Sequence, residues 1–188
     1  MKIYDIFLTY NQKWSEFEIY SFLTAILVLA IILSVLIILK KIKLRQAVAM
    51  VLLYTVIFVI LESTVFSREL GVYYGYKPEL FWSWRLAASG DAKYLEYIVL
   101  NIILFIPAGI LIPFAFSPLI SLFMSPLIGF LTSFSIELLQ FYLKRGVFET
   151  DDIFNNTLGC ILGTLVVDII WLIIFIIKKI VHKIKSRK

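Results

Sequence analysis

Charge is scarce in five long stretches of this chain and concentrated between them. The first apolar run, Ile19 to Leu39, carries no charged residue. The second spans about Ala47 to Phe66, with Glu62 near its end, and the third about Tyr97 to Phe116. The fourth runs from about Pro118 to Phe141 and the fifth from about Asn155 to Ile177. Each approaches the ~20 residues that a helix needs to cross a hydrocarbon layer. The pattern predicts an all-α fold: a polytopic membrane helix bundle of about five transmembrane helices, forming one membrane domain over residues 1–188. In the first run the basic cluster follows the apolar residues instead of preceding them, which reads as a retained helix and not a signal peptide. Ser117-Pro118 has the form of an N-cap followed by proline at the first helical position, predicting a tight hairpin between the third and fourth helices. Pro107, Pro113 and Pro126 fall inside helices and predict kinks.

Composition strengthens this picture. Of 188 residues, 61% are hydrophobic and only 16% are charged, against about a quarter charged in soluble domains. The net charge is +5, and the bases flank apolar runs, which argues against nucleic acid as a partner. Lys40, Lys41, Lys43 and Arg45 lie between the first two runs; Lys178, Lys179, Lys183, Lys185, Arg187 and Lys188 follow the fifth. Basic loops stay inside, so the predicted topology is N-out/C-in in a bacterial cytoplasmic membrane. One cysteine, Cys160, excludes an intramolecular disulfide, and the single histidine, His182, sits in the basic tail. No metal centre or cofactor is expected.

With that topology the polar residues of the helices gather at one depth, on the extracytoplasmic side. Glu62 ends the second helix, Asn101 begins the third, Glu137 and Gln140 end the fourth, and Asn155 and Asn156 begin the fifth. Arg68, Lys144, Arg145, Asp151 and Asp152 stand just beyond them. Ionisable groups in transmembrane segments are costly, so they face one another or a wet cavity. Ser133, Glu137, Gln140 and Lys144 share one helical stripe by their spacing. Asp152, Asn156, Gly159 and Gly163 share another if the fifth helix starts as early as Asp152, and the two glycines permit close helix contact. Asp151 and Asp152 suit a helix amino end, by dipole or as caps. The segment 67–96 is rich in aromatic residues (Tyr73, Tyr74, Tyr76, Phe81, Trp82, Trp84), which suits an interfacial anchor or the wall of a site for an amphiphile.

Three roles fit this cluster. One is recognition of an anionic lipid-linked headgroup, with Arg68, Arg85 and Arg145 on phosphate. Another is catalysis by an integral membrane enzyme on a lipid-linked or phospholipid substrate, with Glu137 as acid or base and Asp151 and Asp152 as catalytic or cation-holding carboxylates. The last is an interhelical network that only fixes the bundle. No nucleophile has a base beside it, which counts against a hydrolase. Asp168 lies roughly 20 Å further along the fifth helix at 1.5 Å per residue; without other ionisable residues at its depth it predicts no ion path.

The sequence resembles the VanZ-like membrane proteins. The resemblance rests on Asn101 through Pro107 to Gly109, then Ser133, Glu137 and Gln140, then Arg145, Asp151-Asp152, Asn156, Gly159 and Gly163, about residues 97–165. Family members carry an Asn-Leu-x-Pro-Phe-like stretch in the outer segment, where this chain has Glu79-Leu-Phe-Trp-Ser-Trp84; Glu149 keeps the usual acid three positions before the second aspartate. The resemblance implies a link to resistance against teicoplanin-class glycopeptides, through an outer-leaflet polar pocket for a lipid-linked envelope precursor or a lipoglycopeptide. The expected binding residues are those of the outer polar cluster, Glu62, Arg68, Asn101, Ser133, Glu137, Gln140, Arg145, Asp151, Asp152 and Asn156, with membrane lipid as a further partner.

Overall fold

In a computed structural model, which describes residues 14–68, 71 and 75–185, five helices are long and apolar enough to span a membrane. They are α1 (Glu16–Ile38), α2 (Leu44–Leu61, prolonged by one π-helical turn, Glu62–Phe66), α4 (Ala92–Ala115), α5 (Pro118–Tyr142) and α6 (Thr150–Lys185). A short helix, α3 (Trp82–Ala88), and two three-residue strands, β1 (Gly75–Lys77) and β2 (Val147–Glu149), occupy the connections at one end. The strands pair in parallel, Gly75 with Val147 through Lys77 with Glu149. The segment expected as an aromatic connection over 67–96 thus contains a strand, a helix and the first turn of α4. Tyr73, Tyr74, the N-terminal residues 1–13 and the last bases, Arg187 and Lys188, lie outside the described residues.

The helix ends follow local chemistry. Ser15 and Glu18 cap α1 reciprocally: Ser15 N donates to Glu18 Oε2 at 2.6 Å and Glu18 N donates to Ser15 Oγ at 3.3 Å. Ser117 is the N-cap of α5 with Pro118 at its first position, as the sequence suggested. Leu143 ends α5, and Lys144 then takes a left-handed φ of 54°. Arg145 N donates back to Gln140 O at 2.8 Å and Lys144 N to Phe141 O at 3.2 Å, the paired bonds of a Schellman ending. This turn corrects one expectation: Lys144 has left the helix and does not extend the Ser133–Glu137–Gln140 stripe, while the chain behind it is thrown back across the bundle.

α4 is the centre of the bundle, packing against α2, α5 and α6. The core joins Leu53, Ile60 and Val65 to Phe105, Ala108, Ile112, Ile136 and Cys160. Two seams hold α6. Against α4 the contact is backbone to backbone: a Cβ on Gly159 would collide with the Ile102 carbonyl, one on Gly163 with that of Ile106, and one on Gly109 with that of Cys160. Small residues are what allow such approach in a bilayer. Against α5 the contact is an antiparallel ladder stepping four residues along each helix. Asn156 Nδ2 donates to Ser133 Oγ at 2.8 Å, Gly129 opposes Cys160, and Thr164 Oγ1 donates to Ser125 Oγ at 2.9 Å. The outermost rung sets Glu137 against Asp152, and the same register puts buried Ser121 level with Asp168.

Candidate functional site

The rim is assembled from the C-terminal ends of α2 and α5, the N-terminal ends of α4 and α6, and the strand pair. Because α6 starts at Thr150, not near Asn155, Asp151, Asp152 and Asn156 all project from its first turns. The condition set for the Asp152–Asn156–Gly159–Gly163 stripe is therefore met.

Several rim residues are occupied in closing helix ends. Gln140 Nε2 donates to Thr64 O at 3.0 Å, and the Arg145 guanidinium donates to the carbonyls of Val65 and Phe66. The last carbonyls of a helix have no partner within it, and these two side chains take up those of Thr64, Val65 and Phe66. Arg145 also places positive charge at the negative end of the helix dipole. Asp151 caps α3 in place of its own helix: one carboxylate oxygen accepts from Phe81 N, the other from Ser83 N at 2.8 Å and Ser83 Oγ at 2.6 Å. Phe81 has a φ of 62°, a left-handed conformation that this capping stabilises. Trp84 Nε1 donates to Asn155 Oδ1 at 2.9 Å. The aromatic segment is thus clamped to the start of α6 by Asp151 and Asn155, and the ring of Phe154 meets Phe81 and Trp84 edge-on.

A second group remains at the centre. Glu137, 1% exposed, accepts from Glu149 N through Oε2 at 2.8 Å and lies within electrostatic reach of Asp152, Arg68 and Glu149. Asp152 Oδ1 accepts from Asn101 Nδ2 at 2.7 Å, and Ser133 Oγ donates to the Asp152 carbonyl at 3.4 Å. Arg68 is the cation shared by Glu137, Glu149 and Asp152. Gly146 makes room for it: a Cβ there would sit 2.9 Å from Arg68 Nη1 and 2.9 Å from Gln140 Oε1. Burial lifts the Glu149 carboxyl above its ordinary range, opposed by Lys77, reinforced by Asp151 and opposed again by Arg68. Asn101, Asp152, Glu149 and Arg68 are half-buried, while Ser133, Glu137 and Asn156 are buried beneath them.

The structure therefore brings Asn101, Ser133, Glu137, Asp152, Asn156 and Arg68 together, with Gln140, Arg145 and Asp151 bonded around them. Glu62 is buried at the same rim but belongs to another grouping, facing Glu18 of α1 and Arg145. Arg85 is on the exposed side of α3, paired with Glu79 at 3.4 Å. Among the described residues no trio of His, Cys, Asp or Glu is arranged to hold a metal ion. The apolar cavity of about 220 Å³ between α2 and α5, lined by Ile57, Leu61, Leu131, Thr132 and Ser135, lies apart from this group. Sequence reasoning passed over Glu149 as a site residue, because a lone acid in a connection has no periodicity. It also passed over Ser83, and read Trp84 only as one of the outer aromatics; the partners of both are some seventy positions away. Only the Asp-Asp pair hinted that one aspartate was free to cap something else.

A family model described as VanZ/LLP1 matches residues 27–174, from within α1 to within α6. The chain belongs to the VanZ-like family. No curated protein matches it, and no solved structure does. The VanZ-like match covers every residue of the central group, and the five apolar helices make this a multi-pass membrane protein of the VanZ-like type.

Proposed function

We propose that this VanZ-like protein sits in the bacterial cytoplasmic membrane with its carboxylate-lined rim on the outer side. There it engages a lipid-linked envelope precursor or a lipoglycopeptide and so lowers susceptibility to teicoplanin-class antibiotics. The observation that carries the reading is the convergence of Glu137, Asp152, Asn101, Ser133 and Asn156 around Arg68, at the end of the bundle opposite the basic Lys40–Arg45 turn. Side chains that are expensive in lipid are gathered there beyond what helix closure uses, and bases favour the inner side. The contrary role, an enzyme with paired aspartates, loses one of its two aspartates: Asp151 already accepts three donors.

The test is the inhibitory concentration of teicoplanin for cells lacking the gene, carrying it, or carrying Glu137→Gln. The reading expects the wild type alone to raise it, at equal membrane levels of both proteins. Identical concentrations in all three strains remove the reading. Periplasmic labelling of the C-terminal tail would overturn the orientation.

A further inference from the structure

The basic residues of the rim are engaged, whereas acceptors remain. Arg145 is turned to the end of α2, Arg85 to Glu79, and Arg68 stands among three carboxylates. Lys77, whose ammonium lies over the Trp82 ring, acts on Glu149 from the neighbouring strand. A phosphate arriving here would meet three acids, Glu137, Glu149 and Asp152, against two bases, Arg68 and Lys77. At the floor, Asn156 is 4% exposed, its Nδ2 is fixed on Ser133, and its Oδ1 has no donor. Ser133 is one turn below Glu137, and Asn156 is one turn below Asp152, so this orphan acceptor belongs to the same group. A buried acceptor without a donor is costly, and it carries information that an acidic cluster alone does not. Asn101, the half-buried amide donor above it, is already committed to Asp152.

Resting on the ligand-binding reading above, we infer that the Glu137–Glu149–Asp152–Asn156 group takes the primary ammonium of an amphiphile, not an anionic headgroup. An ammonium supplies three N–H donors and one positive charge. That matches a group in which three carboxyls outnumber two bases, with an unfilled amide oxygen beneath them, and N–H donors to carboxylates form charge-assisted bonds. Asn101, Asp152 and Glu149 are half-buried at the helix-end rim, the level at which the proposed orientation puts lipid headgroups.

The full chain in nanodiscs distinguishes the sources of affinity. Discs containing equal parts phosphatidylethanolamine, phosphatidylcholine and phosphatidylglycerol are prepared, and the lipids retained on the protein are counted by native mass spectrometry. The primary amine is expected to be retained about tenfold over both others, about 1.4 kcal/mol. Phosphatidylcholine, a zwitterion like phosphatidylethanolamine but with a quaternary ammonium that has no N–H donors, separates hydrogen bonding from charge. Glu137→Gln and Asp152→Asn, which keep side-chain shape, should each bring the amine down to the phosphatidylcholine level, while Arg85→Gln leaves it unchanged. Retention of phosphatidylglycerol at or above the amine overturns the inference, as does amine selectivity that survives both substitutions. If amine selectivity holds but teicoplanin sensitivity is unaltered by the gene, the resistance reading fails and this inference stands. If resistance holds without amine selectivity, the reverse is concluded.

Discussion

α1 and α6 are both long and apolar, yet the bundle treats them differently. α1 buries a single residue, Leu33, and is held to α2 by rings: Phe22 stacks on Tyr54 at 5.7 Å, and Trp14 meets Phe58 edge-on at 5.4 Å. α6 buries Asp151, Ile153, Asn155, Asn156, Gly159, Cys160, Gly163, Thr164 and Val167. Most of those are small or polar. Lipid tails solvate leucine as well as another helix does, so apolarity places a segment in the membrane without attaching it to anything. Attachment comes from glycines that let backbones touch and from polar pairs that have no other partner. The helix richest in such residues also contributes Asp152 and Asn156 to the candidate site, and the family match begins partway through α1.

The largest effect should come from the glycine seam. Gly159→Leu puts a side chain into the Ile102 carbonyl, and overpacking costs about 1–3 kcal/mol even where neighbours can shift. Here the obstacle is backbone, so thermal unfolding in detergent should show outright loss of the folded bundle. A fully stable Gly159→Leu protein would break the contrast with α1. Next comes Asp151→Ala, which strands Phe81 N, Ser83 N and Ser83 Oγ; unsatisfied buried donors cost roughly 1–3 kcal/mol. Hydrogen exchange should then rise in α3 before it rises in α4 or α5.

How far the sequence reveals these features depends on the range of the interactions. Apolar runs are local, so five crossings could be read directly, and proline and serine placed the α4–α5 turn. The two stripes could be read from four-residue spacing, and so could most of the central group. The end of the α5 stripe could not, because nothing in Lys144 itself announces a left-handed turn; that conformation depends on the carbonyls behind it. Nor could the division of labour within the Asp-Asp pair. Which aspartate is spent on α3 is decided by a strand pair and a short helix far away in the chain, and only the folded rim joins them.

Smaller effects sharpen the comparison. Ser125→Ala removes one rung of the α5–α6 ladder; such bonds in membranes average about 0.6 kcal/mol, so a modest fall in midpoint is expected. Phe22→Ala on α1 removes aromatic contacts worth about 0.5–1.5 kcal/mol, but in the bilayer α1 should loosen from α2 without disturbing the other four helices. Cross-linking between α4 and α6 in that variant should match the wild type. The smallest effect is a slope with pH. Glu149 is held protonated above its ordinary value of 4.5, so the fold binds a proton that the unfolded chain releases. Its contribution is complete below that value and declines as pH rises through the elevated native value. Glu149→Gln should flatten this part of the stability profile, and an unchanged slope would assign it to other groups.

The length of α6 has a mechanical consequence. Thirty-six residues make a rod of roughly 54 Å at 1.5 Å per residue, whereas the hydrocarbon layer is about 30 Å thick. Its last buried residue is Val167, so the lower turns project past the bundle with Lys178, Lys179, Lys183 and Lys185 exposed along them. The aspartates at one tip and the lysines at the other are parts of a single unbroken lever, and torque applied to the basic end would be felt at the carboxylates.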